Sequence, residues 1–331
     1  MDLPVRSLLL TSVLVLCACG ASHAPEPLTP LNGASHLLLH DGVLYVSTYA
    51  GDLMQLPTDG GAVSVFAAGQ PGNVLAADDA RLFWGNGYYS QTESRTEVMA
   101  APFAGGAPTQ LAPGPAAVGL AIRDGFLYWG SNEQGPDDPT DLGGTLRRVP
   151  VNGGAPEVLA SGLEVTAVAA DSAGVYYADD EDVFNDQVVL LPDGNGAPSV
   201  LGTGLSGLGG VVEIVPAGDD LVLVTSTGGG STSHNLKALP REGGEARVLS
   251  LGLDCPVVLG VVAAPPDLYV SCQDLGSRSV ERTSLSGGEV EVLATFPEPD
   301  GGTTDGPMTN PVLDDTSVYV GAYGTLYRVA R

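Results

Sequence analysis

The 331 residues carry 39 acidic against 13 basic side chains, a formal charge of −26, together with 46 Gly, 25 Pro and 44% hydrophobic residues. So negative a chain repels nucleic acid and anionic lipid surfaces, which excludes both as expected partners, and it favours cations such as calcium without naming one. Short runs of Val, Leu and Tyr broken by Gly and Pro read as an all-β chain rich in turns, and all-β units routinely reach this length as one domain.

At the amino terminus, Arg6 is followed by an apolar stretch, Ser7 to Leu16, as long as a signal-peptide core and too short to anchor in a bilayer. It ends Leu16-Cys17-Ala18-Cys19-Gly20, which resembles the bacterial lipobox, with Leu three before the cysteine, a small residue directly before it and Gly after it. That resemblance implies diacylglycerol on the Cys19 sulfur, removal of residues 1–18 and acylation of the new terminus, giving several acyl chains where one would hold only reversibly. Gly20 in place of Asp resembles the pattern sorted to the outer membrane. Residues 19–24 then form a lipid-anchored tether, and residues 25–331 one folded domain.

From there one unit recurs with a period of about 45 residues, in the range of propeller blades. Its second strand is the clearest mark: Leu44-Tyr45-Val46, Leu82-Phe83-Trp84, Leu127-Tyr128-Trp129, Val175-Tyr176-Tyr177, Leu221-Val222-Leu223, Leu268-Tyr269-Val270 and Val318-Tyr319-Val320. Tight turns containing Asp precede most of these, such as Asp41-Gly42, Asp78-Asp79, Asp124-Gly125 and Asp314-Asp315, where the carboxylate bonds its own backbone. A third strand follows a loop, as in Thr145 to Pro150, and leads to a glycine turn such as Gly60-Gly61, Gly105-Gly106 or Gly153-Gly154, whose positive φ suits a hairpin. A fourth strand such as Pro156 to Ala160 completes the unit. The recurrent aromatics at the second strands are expected to pack between blades.

The last copy stops after its third strand, Thr325 to Ala330, and lacks a fourth. Pro25-Glu26-Pro27-Leu28-Thr29 matches the fourth-strand segment Pro156-Glu157-Val158-Leu159-Ala160 in spacing and in its Ala-Pro-Glu lead. The expected fold is therefore an all-β, seven-bladed β-propeller of four-stranded blades, closed by pairing of the amino-terminal strand with the carboxy-terminal blade. The unit resembles YWTD-type and TolB-type repeats, most of all at Leu127-Tyr128-Trp129-Gly130 followed by Gly144 to Pro150. The resemblance spans nearly the whole mature chain and speaks for architecture rather than activity. No strand ends in Trp-Asp, so the WD40 subtype is not supported.

In such a ring the second-to-third connections share one face, the top, while the short Asp and Gly-Gly turns lie on the bottom. Long insertions are expected on the top at residues 85–96, 130–144, 178–187, 225–235 and 272–279, where binding usually resides. Only five residues separate Cys19 from Pro25, which span roughly 17–20 Å when extended. This places the bottom, or the adjacent rim, near the membrane.

Two top loops are rich in carboxylates, Asp137, Asp138 and Asp141 in one and Asp179, Asp180 and Asp182 in the other; they read either as solvated acidic loops or as cation sites, and neither has EF-hand spacing. His36, Asn73, Glu164, Glu213 and Asn310 fall where inner strands begin, at the channel mouth. Their placement resembles the metal-binding mouth of lactonase-type propellers, against the alternative of a wet polar channel lining. Cys255 precedes an inner strand and Cys272 ends the next one, a spacing suited to a disulfide in an oxidising compartment. Gly202-Thr203-Gly204-Leu205-Ser206-Gly207 mimics a dinucleotide fingerprint, but no helix follows it. Neither His-Glu-x-x-His nor Gly-x-Ser-x-Gly occurs. The expected function is noncatalytic binding or scaffolding by a lipid-anchored monomer at the cell envelope, with an envelope protein or glycan as partner and no required cofactor. The alternative is a metal-dependent hydrolase or lyase at the channel mouth.

Overall fold

A computed structural model describes residues 24–89, 94–114, 117–131, 143–180, 186–206, 210–226, 234–249, 255–274, 276–298 and 308–331. Within them the chain is all strand and turn, folded into seven antiparallel four-stranded sheets arranged as a ring. Six blades run in chain order from the axis outwards: blade 1 from Ala34 to Ala67, blade 2 from Gly72 to Gly114, blade 3 from Gly119 to Leu163, blade 4 from Val165 to Thr203, blade 5 from Val211 to Val248 and blade 6 from Val257 to Pro297. Blade 7 takes three strands from Val312 to Ala330 and its outer strand, Glu26–Pro30, from the other end of the chain.

That closure is made by backbone pairing of Glu26 with Arg328, Pro27 with Tyr327, Thr29 with Leu326 and Pro30 with Thr325. Arg328 adds a charged hydrogen bond from Nε to the Glu26 carboxylate at 3.0 Å. Leu28 packs into the cluster formed by Leu37, Leu44, Tyr319 and Leu326, between blades 7 and 1. Both chain ends therefore contribute to one apolar seam.

Buried side chains fall into seven clusters among the described residues, one at each junction between neighbouring blades. The second strands explain this distribution. Successive residues of a strand face opposite sides of its sheet, so Phe83 packs toward blade 3 while Trp84 packs toward blade 1. Tyr128 and Trp129 divide likewise between blades 4 and 2. A strand covered on both faces needs consecutive apolar residues, and each large side chain fully buried in this way contributes about 1.5–3 kcal/mol. Neighbouring blades approach too closely for larger groups where a second strand ends against the next blade's inner strand: a Cβ on Gly130 would lie 2.2 Å from Val165 Cγ1.

The outer strands carry a recurrent irregularity. In blades 1, 2, 3, 4 and 6 the pairing register skips one residue, respectively Phe66, Leu111, Leu159, Leu201 and Leu293. In blade 7 it skips Leu28. The skipped apolar side chain packs between blades, while the residue before it faces out, as Val65, Val158, Val200 and Val292 do. A bulge at an edge strand bends and twists it, and so disfavours pairing with a second chain.

Two expected top insertions differ from the reading of the sequence. Residues 85–96 are mostly ladder, with strands running Arg81–Tyr89 and Ser94–Pro102. The 272–279 segment is a tight hairpin, because the strands continue to Asp274 and resume at Ser277. In both cases the described residues of the segment are mostly paired backbone.

Candidate functional site

Inner strands of all seven blades surround one axial cavity of about 460 Å³. In blades 1, 2, 4, 5 and 6 the inner strand enters it at a register irregularity, and the residue after that irregularity faces the small or branched residue that ends the apolar run of the second strand. His36 stands opposite Ser47, and Glu213 opposite Val224. Asn310 lies two residues before Val312, whose partner is Tyr319, so the same count sets it opposite Gly321. These three share one structural position and line the cavity. Asn73 is the skipped residue of its own strand, and Glu164 precedes its inner strand altogether.

Several of these side chains tie their blade to the next. Asn310 Oδ1 accepts from Leu37 N–H at 2.9 Å, and its Nδ2 donates to Leu37 C=O at 3.0 Å, joining blade 7 to blade 1. Asn73 Nδ2 donates to Ala117 C=O at 3.0 Å, while its Oδ1 is buried without a hydrogen-bond partner among the described residues. Glu213 Oε2 accepts from Val261 N–H at 3.2 Å, joining blade 5 to blade 6. Thr166, which the sequence did not single out, donates from Oγ1 to Val211 C=O at 2.6 Å. A side chain that satisfies a neighbouring backbone group near the axis, where the ladder ends, removes the cost of an unpaired polar group.

His234 is the other residue that sequence reasoning missed. It begins the third strand of blade 5, reaches the cavity, and sets Nδ1 2.7 Å from Val258 C=O. A carbonyl only accepts, so Nδ1 is the donor in this contact. The sequence signal was weak, because a lone histidine after a long top connection shows no repeat. His36 Nδ1 is buried with no partner among the described residues, and burial lowers the pKa of this imidazole, keeping it neutral. Glu213 opens onto the cavity yet is walled by protein, and this burial pushes its pKa up to about 8 against the opposing hydrogen bond from Val261. At Glu164, burial and then the nearby Asp179 charge raise the pKa.

The second acidic loop is partly structural. Asp179 is buried and accepts from Glu164 N–H at 2.9 Å and from Gln187 Nε2 at 3.2 Å. Asp180 follows it, its backbone N–H bonded to Glu164 C=O at 3.0 Å. Cys19, Asp137, Asp138, Asp141 and Asp182 lie outside the described residues. Cys255 and Cys272 are joined by a disulfide, with Cα atoms 5.1 Å apart, inside the core between blades 5 and 6. Among the described residues, the group of three His, Cys, Asp or Glu side chains close enough to share a metal ion is Cys255, Cys272 and Glu281, and there the sulfurs are bonded to one another. His36, Glu164 and Glu213 form no such group in this arrangement.

No protein-family model matches the sequence, and no curated protein matches it. Solved structures do match in fold. Virginiamycin B lyase from Staphylococcus aureus is 11% identical, with 92% of this chain and 98% of that one covered at a TM-score of 0.66. An oligogalacturonate lyase in complex with manganese is 14% identical over 94% of each chain, again at 0.66. A chain of the nidogen/laminin complex, a YWTD-type neighbour, is 17% identical over 76% of this chain and 96% of that one, at 0.53. Identities this low carry the fold alone, a seven-bladed β-propeller.

Proposed function

We propose that the chain is a lipid-anchored extracytoplasmic propeller that binds or scaffolds an envelope protein or glycan through the face bearing its second-to-third-strand connections. The observation that carries this reading is the use of the channel-mouth side chains. Asn310, Asn73, Glu213 and Thr166 hold adjacent blades together, which gives a stiff ring. On one face of that ring the connections at 131–143, 180–186 and 227–233 link second to third strands, and loops on a rigid scaffold are where recognition resides. The opposite face is made of short turns such as Asp41-Gly42 and Gly153-Gly154. With the lipid on Cys19, six residues before the closing strand, that turn face would lie toward the outer membrane and the connection face away from it. Cys19→Ser is expected to abolish incorporation of labelled fatty acid and to release the protein from membranes.

The second reading is a metal-dependent hydrolase or lyase working at the channel mouth. It draws on His36, Glu213 and His234 lining one cavity and on the two lyases of the same fold. Elemental analysis of the purified protein separates the two. A stoichiometric divalent ion that disappears in Glu164→Gln and Glu213→Gln would favour the enzyme, and metal-free protein that retains its partner would favour the binding module.

A further inference from the structure

The axial cavity is walled mainly by apolar side chains, Val74, Val118, Val168, Ile214 and Leu259 among them. Its volume of about 460 Å³ lies within the range of small-molecule sites. Among the described residues, four polar side chains line it: His36, Glu213, His234 and Asn310. Asn310 has spent both halves of its amide on Leu37. His234 donates through Nδ1 to Val258, and in the neutral imidazole its Nε2 is left as an acceptor. Glu213 receives one backbone N–H on Oε2, which leaves Oε1 for another donor. Among the described residues, no arginine or lysine lines the cavity. The polar side chains therefore offer a carboxyl group and two imidazoles in a channel walled partly by backbone polar groups and partly by Val and Leu side chains, inside a chain of net charge −26 that concentrates cations around it.

We propose that this cavity binds a small organic ammonium ion, a primary amine on an aliphatic or aromatic body, with the ammonium on Glu213 and the body against the Val and Leu wall. An inorganic cation would leave the apolar wall unused, and an anion would meet no positive side chain. A neutral apolar molecule would fill the tube without engaging Glu213 or His234. Burial of the empty site holds the Glu213 carboxyl protonated near neutrality, so the arriving ammonium stabilises the carboxylate and drives one proton off. The other titratable groups lining the cavity are His36 and His234; His36 is kept neutral by burial.

Titration calorimetry on the full chain near pH 6.5 tests this with three probes of one chain length: n-hexylammonium, hexan-1-ol and hexanoate. A charge-assisted hydrogen bond in such a site predicts that hexylammonium binds at least about tenfold more tightly than hexan-1-ol, and that hexanoate does not bind. Repeating the titration in buffers of different ionisation enthalpy should reveal about one proton released per hexylammonium bound. Glu213→Gln should remove both the preference for the ammonium and the proton release while the amide still accepts from Val261. Equal affinity for hexylammonium and hexan-1-ol in the wild-type protein, or no binding of hexylammonium, would overturn the proposal whether or not the variant folds.

Discussion

Asn310 and Leu37 meet across the seam where the two ends of the chain close the ring, and one side-chain amide satisfies both the N–H and the C=O of one residue, at 2.9 and 3.0 Å. The contact spans 273 residues of sequence. It resembles the pairing of a further strand, supplied by an asparagine. Asn310→Ala removes two hydrogen bonds and leaves two backbone groups near the axis to find water. A loss of about 1–3 kcal/mol in unfolding free energy is expected from urea titration, and an unchanged midpoint would mean that water replaces the amide at no cost.

Leu28 ties the amino-terminal strand into the same seam. Leu28→Ala should cost about 2 kcal/mol, the low end for a leucine that is only partly buried. Because each blade shares its apolar faces with both neighbours, the loss should appear as one shifted transition in the fluorescence of Trp84 and Trp129, although those residues lie in blades 2 and 3. A transition seen near the chain ends but not by the tryptophans would show that blade 7 opens independently.

The Cys255–Cys272 disulfide closes a segment of 17 residues. Removing both cysteines as Cys255→Ser and Cys272→Ser relaxes the unfolded chain, and a loop of that length implies a loss of about 3 kcal/mol. Comparing the wild-type protein in denaturant with and without a thiol reductant checks the value. The reduced wild-type protein and the double variant should unfold at similar denaturant concentrations.

Glu213 supplies a pH dependence of defined sign. Its ordinary pKa of 4.5 is raised to about 8 in the folded ring, so between these values the unfolded chain gives up a proton that the folded one keeps. Folding stability contributed by this group is fully present below pH 4.5 and is lost as pH rises toward 8, by roughly 1 kcal/mol per pH unit. Above that range both states are ionised and the slope vanishes. Glu213→Gln should flatten the profile and melt higher than the wild-type protein at pH 8. Parallel profiles would mean that the carboxyl is hydrated in the channel.

Much of this architecture was legible because the repeat is written in apolar runs. Leu127-Tyr128-Trp129 reads as a strand buried on both faces, and the ring needs such strands at each blade. The closing strand was legible from the match of Pro25 to Thr29 with Pro156 to Ala160, since a missing outer strand at one end requires a spare at the other. Less could be read of the site. Asn73 is the residue skipped in its own ladder and Glu164 precedes its strand, so neither shares the position of His36, Glu213 and Asn310, and spacing along the sequence does not show the difference. Thr166 and His234 were hidden for different reasons. A threonine in a strand carries no signal of its own, and His234 enters the cavity from a third strand. The Leu skipped in the outer strands of blades 3, 4 and 6 was also present in the sequence, as the recurrent Val-Leu of Val158-Leu159, Val200-Leu201 and Val292-Leu293, but alternation alone does not reveal a bulge.

The most direct measurement is partner retention by the full-length protein cross-linked in its native envelope, compared among three forms with matched melting temperatures. These are the wild-type chain, a variant with residues 132–142 and 227–233 replaced by short Gly-Ser linkers, and a variant altered at the opposite face by Asp41→Asn and Asp124→Asn. The account predicts that the wild-type and opposite-face forms retain the same protein or glycan and that the linker form loses it. Retention by the linker form, with loss in the opposite-face form, would contradict it.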